Sequence, residues 1–179
     1  MNFTAVTDNP LKYNKEKTEM KTKHIVLSAL IGALYFILTV GIAPLSYGPV
    51  QFRISEILKV FCLFNPFVSV GLAIGDFFTA LVSPFASPWE MIFMPITDLL
   101  GGSLAYWLYK RLNKYVVMVV YAVTTSASVA YMLVALGVGG FWLMFSSVLV
   151  SEVIILCGGV PIVFRVMDVV KQRGITLFE

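Results

Sequence analysis

Gln51-Phe52-Arg53-Ile54-Ser55-Glu56 places two opposite charges three positions apart at the entrance of an otherwise apolar segment. At helical i, i+3 spacing Arg53 and Glu56 share a face, where they pair with each other or hold a polar ligand between them. The rest of the chain reads as a membrane container for that pair. Of its 179 residues, 59% are hydrophobic and only 13% charged, with a mean hydropathy of +0.87, far from the averages of soluble domains. The net charge of +3 sits in tails and turns, so it speaks to orientation in a bilayer. No basic patch with interleaved aromatics is present, and nucleic acid is not expected as a partner.

Working outward, Ser46-Tyr47-Gly48-Pro49 forms a turn by its Gly-Pro content. The helix that follows, from about 52 to the residue before Asn65-Pro66, has only about 12 residues, short for a straight span. A loop over 47–51 folded into a cavity beside it is permitted only where backbone polar groups face protein or water. Upstream, the apolar run over about 24–44 covers roughly 30 Å at 1.5 Å per residue. It is too long for a signal-peptide core, and Pro44 directly follows the small pair Gly41 and Ala43 that would mark a cleavage point, so it reads as a retained helix. Its Ser28, Ala29, Gly32 and Ala33 form a small-residue face, and Ala29-x-x-x-Ala33 is the spacing that lets another helix backbone approach. That helix belongs either to this chain or to a partner.

Downstream, a third helix over about 66–82 has Pro66 in its first turn and Gly71-x-x-x-Gly75 followed by Asp76. A proline-rich loop, 83–88, leads to a fourth helix over about 89–109 with Trp89 as an interfacial anchor, Glu90 near its outer end and Asp98 near its middle. A fifth helix, about 115–136, carries the small ladder Ala122, Ser126, Ala130 and reads as scaffold. The sixth, about 141–170, has Glu152 near mid-depth and a bend expected at Pro161. The organisation expected is a polar tail over 1–22, a membrane domain over 23–170 and a short tail over 171–179. Placing the N-terminal lysines, Lys110-Arg111-Lys114 and the C-terminal basic residues on one side satisfies the positive-inside rule. The fold class is therefore all-α: a polytopic membrane bundle of six helices in the lipid bilayer, with both termini cytoplasmic.

In that arrangement Arg53 and five carboxylates (Glu56, Asp76, Glu90, Asp98 and Glu152) lie in the outer half or near the midplane. Each ionisable group at the bilayer centre costs about 2.5–3.5 kcal/mol on insertion scales, so the set implies a wet or ligand-filled cavity. Pairing Arg53 with Glu56 accounts for one carboxylate and leaves four. Surplus carboxylate suits a cationic or N–H-rich substrate. Tyr47, Phe52, Trp89 and Trp142 are placed to stack a planar ring at the mouth, or else serve as lipid anchors and core fillers. Cys62 and Cys157 are isolated in apolar runs and the single histidine, His24, sits among lysines, so no metal, disulfide or cofactor is expected. An enzyme is disfavoured by the lack of any H-E-x-x-H or G-x-S-x-G pattern, although Asp76 with Asp98 supplies the two carboxylates that an intramembrane aspartyl enzyme needs.

The short length, the six helices, Ala29-x-x-x-Ala33 and an outward pocket together resemble the substrate-binding S component of energy-coupling factor (ECF) transporters. The stretch Gln51-Phe52-Arg53-Ile54-Ser55-Glu56 is similar to one in the QueT family of S components, assigned to uptake of queuosine precursors. The resemblance implies a subunit that binds a deazaguanine from outside; the 51–56 stretch carries it, Asp76, Asp98 and Trp89-Glu90 depart from any family pattern, and the reading of charges and aromatics supplies the candidate binding residues Tyr47, Gln51, Arg53, Glu56, Trp89, Glu90, Asp98 and Glu152. In that reading, Glu56 or Glu152 takes the guanine-like N–H edge, Glu90 or Asp98 neutralises an ammonium, and Arg53 donates to the ring carbonyl. It further implies that Ala29 and Ala33 meet an ECF transmembrane coupling protein seated on two ATP-binding subunits, since the chain has no phosphate-binding G-x-x-x-x-G-K-[ST]. The alternatives are an S component for another vitamin or nucleobase-like solute, and, in other classes, a stand-alone secondary transporter or an intramembrane enzyme. An inverted repeat would favour the secondary transporter, and the two halves place their charges at unrelated positions.

Overall fold

The structure is a computed structural model that describes residues 10–47 and 52–174, with side chains from residue 22 onward. Among these residues it is all-helical: α1 (Pro10–Gly41), the one-turn α2 (Ala43–Ser46), a 3₁₀ helix (Ile54–Leu63), α3 (Phe67–Val82), α4 (Pro88–Tyr109), α5 (Lys114–Ala135) and α6 (Phe141–Gln172). Four segments are long and apolar enough to cross a membrane: Thr22–Gly41 within α1, and α4, α5 and α6. Leucines, isoleucines and phenylalanines stand exposed along α1, α3, α4 and α6, the outward face of a bundle whose solvent is lipid.

Two elements depart from expectation. The first helix begins at Pro10 and takes in part of the polar stretch expected as a tail, which is rich in Lys and Glu, both good helix formers. The second predicted helix is not an α-helix but ten residues of 3₁₀ helix. At about 2.0 Å per residue it rises roughly 20 Å, whereas an α-helix of the same length would rise roughly 15 Å. The tighter winding thus extends a segment too short to traverse the layer as an α-helix. The bend expected at Pro161 does not interrupt α6, which is continuous through that residue.

Close packing follows the small residues. A Cβ on Gly71 would fall on the Ser28 carbonyl oxygen, and one on Gly75 on that of Gly32, so α1 and α3 cross backbone to backbone. The Ser28 hydroxyl also donates to the Phe67 carbonyl, at 2.5 Å. At Gly101 the missing side chain leaves room for the Tyr121 ring, and at Gly159 for Ile57 and Val60 of the 3₁₀ helix. That helix is therefore wedged among the others, with Val60, Leu63, Tyr121, Leu156 and Val160 in a shared apolar core.

Candidate functional site

The buried charges converge on one small cavity above that core. The 3₁₀ helix supplies its axis. At 120° per residue, side chains three apart eclipse, so Glu56 and Lys59 follow Arg53, the residue that caps the helix, along one edge. In an α-helix the same spacing drifts by about 60° each time, and Lys59 would turn away from the site. All three are buried, Lys59 to 1% exposure.

Glu56 and Asp98 grip Lys59 from two sides. Its Nζ pairs with Glu56 Oε2 and lies 2.6 Å from Asp98 Oδ1. The Tyr121 ring centroid is 5.2 Å from the same ammonium, and the Tyr121 hydroxyl donates to the Asp98 carbonyl at 3.2 Å. Glu56 Oε1 accepts from Tyr35 at 2.6 Å. Removing two ions from water is repaid only by contacts of this kind, and here the lysine has a carboxylate on either side.

Arg53 serves the outer end. Its guanidinium reaches Asp76 Oδ1 at 3.6 Å and Glu90 Oε1 at 3.9 Å, lies 5.5 Å from the Tyr47 ring centroid, and donates through Nε to the Ser46 carbonyl at 3.4 Å. Asp76 also accepts from Thr79 at 3.2 Å, while the Tyr47 hydroxyl donates to the Thr79 carbonyl at 3.0 Å. Glu90 is placed by the start of α4: Ser87 caps the helix by accepting from the Glu90 N–H at 3.1 Å, with Pro88 in the first turn. The carboxylate there also faces the positive end of the helix dipole.

Of the two arrangements the sequence left open for Arg53 and Glu56, direct pairing is not seen at ion-pair distance. Each goes to a different partner because Lys59, a cation the sequence reading passed over, lies one 3₁₀ turn beyond Glu56. Asp76, left out of the expected ligand-binding set, is an Arg53 partner and lines the cavity.

The helices complete the lining at i, i+4 spacing: Met94 and Asp98 from α4, Thr125 and Val129 from α5, Val148 and Glu152 from α6, with Tyr35 from α1. The cavity measures about 10 Å³, close to the least that admits one water, so this is a closed arrangement in which a ring-sized ligand would fit only once the walls part. Glu152, 3% exposed, has no cation within 4.0 Å among the described residues, and its Oε2 accepts no hydrogen bond. Thr125 Oγ1 is likewise without a partner. α5 is thus not scaffold alone, as its sequence suggested, but contributes a polar group to the cavity.

Other expected site residues lie elsewhere. Trp89 is 54% exposed and lines a separate apolar surface groove with Pro88, Ile92 and Phe93. Trp142 is 77% exposed. Glu90 does not line the cavity but reaches it through Arg53. Gln51 lies outside the described residues. Ala29 and Ala33 sit with Gly32, Phe36, Gly71 and Phe78 along an open apolar groove of about 320 Å³ between α1 and α3. The closest backbone approach of α1 to α3 is at Ser28 and Gly32, against Gly71 and Gly75.

A buried cluster of opposed charges opening from the core of a lipid-facing bundle suits a solute carrier, and comparison with known proteins agrees. The QueT transporter family model matches residues 25–168. The chain belongs to the QueT transporter family. A relative from Lactococcus lactis subsp. cremoris (strain MG1363), the "Queuosine precursor transporter QueT", is 37% identical over 98 residues, which is 52% of this chain and 56% of that protein. The match thus spans little more than half the length of that relative. No solved structure gives a significant match. With four helices able to span, membership of a transporter family makes this a multi-pass protein of the cell membrane and not an enzyme.

Proposed function

We propose that the chain is the substrate-binding S component of an ECF-type importer and that it binds a queuosine precursor, a deazaguanine, from outside. The observation that supports this reading is the buried cluster around the cavity, where, among the described residues, four lining carboxylates and Glu90, reached through Arg53, share two cations, Arg53 and Lys59. An N–H-rich ring, or one bearing an ammonium, supplies the positive partner that the protein withholds. The QueT relative named for a queuosine precursor supports the substrate class.

The bundle crosses the membrane six times in this reading, with α3 and the 3₁₀ helix as its two short crossings and both termini cytoplasmic. Arg111, Lys114, Arg165, Lys171 and Arg173 then share one side. The groove at Ala29 and Ala33 receives a transmembrane coupling protein, which sits on two ATP-binding subunits. In support, the groove is apolar and open, and small residues leave its floor accessible to another helix.

The test is a calorimetric or thermal-shift titration of the purified chain, alone in detergent, with aminomethyl-deazaguanine, queuine, guanine and a panel of vitamins. Saturable binding of a deazaguanine is expected. Binding of a vitamin in its place overturns the substrate, and no binding across the panel overturns the S-component reading.

A further inference from the structure

We infer that Thr125 is a specificity-determining residue, and that with Glu152 it forms the part of the cavity that reads the ligand's ring edge. The inference rests on the deazaguanine reading above and narrows it to one hydroxyl on α5. Two observations carry it. Thr125 is 1% exposed, lines the cavity, and its Oγ1 has no hydrogen-bond partner. A buried hydroxyl left unpaired is costly, and native proteins keep few of them. Among the described residues, Glu152 is the one carboxylate of the cavity lining without a cation at ion-pair distance: Lys59 holds Glu56 and Asp98, and Arg53 reaches Asp76.

The chemistry of the pair defines what fits. A carboxylate accepts two parallel hydrogen bonds, and a hydroxyl lining the same cavity donates one. The complementary edge has two N–H donors followed by an acceptor, as in a 2-amino-oxo pyrimidine ring: exocyclic amine and ring N–H to Glu152, ring carbonyl to the Thr125 hydroxyl. Ligands with a guanine-type edge satisfy every group, whereas an adenine-type edge sets its ring-nitrogen acceptor against the Glu152 carboxylate and leaves that carboxylate short of N–H partners. Discrimination of this kind is steep because the rejected ligand leaves buried polar groups unmatched.

Thr125→Val removes the hydroxyl at nearly constant volume. Affinity for aminomethyl-deazaguanine should fall about tenfold, while the ligand-free protein keeps its melting temperature or gains a little, because the hydroxyl had no partner to lose. Thr125→Ser should restore binding. Replacing the ring oxygen by sulfur, a poor acceptor, should weaken binding to the unaltered protein and make little further difference in Thr125→Val; Thr125→Ala serves the same cycle should the valine variant not fold. Ser126→Ala, which removes a neighbouring buried, unpartnered hydroxyl that does not line the cavity, should bind normally. Unchanged affinity in Thr125→Val, or equal losses for the oxo and thio ligands in variant and unaltered protein, overturns the inference and leaves the deazaguanine reading standing. Failure of the unaltered protein to bind any deazaguanine overturns both.

Discussion

Lys59→Met is the sharpest test of the charge arrangement. The ammonium is 1% exposed, pairs with Glu56 and sits 2.6 Å from Asp98, so its removal strands two carboxylates in the bundle interior. Breaking a buried pair by deleting one partner typically costs about 3–5 kcal/mol, because the remaining charge stays buried and uncompensated. Methionine fills most of the volume of the lysine stem, so cavity formation adds little. For a protein of this size about 1 kcal/mol corresponds to roughly 2–4 °C of melting temperature, and a fall of roughly 6–20 °C is expected in detergent by thermal unfolding. Neutralising the stranded groups should recover much of it: the triple variant Glu56→Gln, Lys59→Met, Asp98→Asn should melt well above Lys59→Met alone. A Lys59→Met protein that melts within a degree or two of the unaltered chain, or a triple variant no better than the single, refutes a lysine buried between two ionised carboxylates.

Glu152→Gln should abolish or strongly weaken deazaguanine binding while moving the melting temperature little, since Glu152 has no ion pair to lose; titration and unfolding of one preparation check both. Glu56→Gln should instead lower the melting temperature, by stripping Lys59 of a partner and weakening the Tyr35 contact, and should cost binding only secondarily. Gly71→Ala should destabilise by about 1–3 kcal/mol or more, because its methyl falls on the Ser28 carbonyl oxygen and backbone cannot step aside. Ala29→Trp or Ala33→Trp should block uptake in cells while leaving binding by the purified chain intact; normal uptake would return that groove to a lipid-facing surface.

The membrane class and every buried carboxylate were legible in the sequence, because an ionisable side chain in an apolar run stands out wherever the helices cross. The pairing was not legible, since it depends on winding. Read at 3.6 residues per turn, Arg53 and Glu56 look like partners and Lys59 drifts off their face. Read at 3.0, Arg53-x-x-Glu56-x-x-Lys59 is a single polar edge, and that period of three in a segment too short to cross as an α-helix was the available signal. Thr125 left a weaker trace: threonine in an apolar helix commonly bonds back to its own backbone, as Thr124 does to Tyr121, and only the three-dimensional lining separates the two neighbours. Of the two readings of Trp89, mouth of the site or lipid anchor, its exposure suits the anchor. Glu90, one residue on, is turned about 100° from it around the helix, so the two cannot both face the site, and α4 buries the carboxylate and turns the indole outward.

The two cations also explain how a cavity so rich in carboxylate persists. Five uncompensated carboxylates would not stay ionised in a low-dielectric interior, and a site that relied on its ligand for every counter-charge would be poorly formed without it. Arg53 and Lys59 hold four of the five from fixed positions on one short helix. What remains is local: one carboxylate on α6 facing one unpartnered hydroxyl's cavity from the adjacent helix. Attraction for a positively charged or N–H-rich solute is thereby confined to the side of the cavity that its own cations do not serve. Moving Lys59 to any other register of the 3₁₀ helix would transfer that attraction to Glu56 and Asp98, so the position of this lysine, as much as the number of acids, decides where a ligand is held.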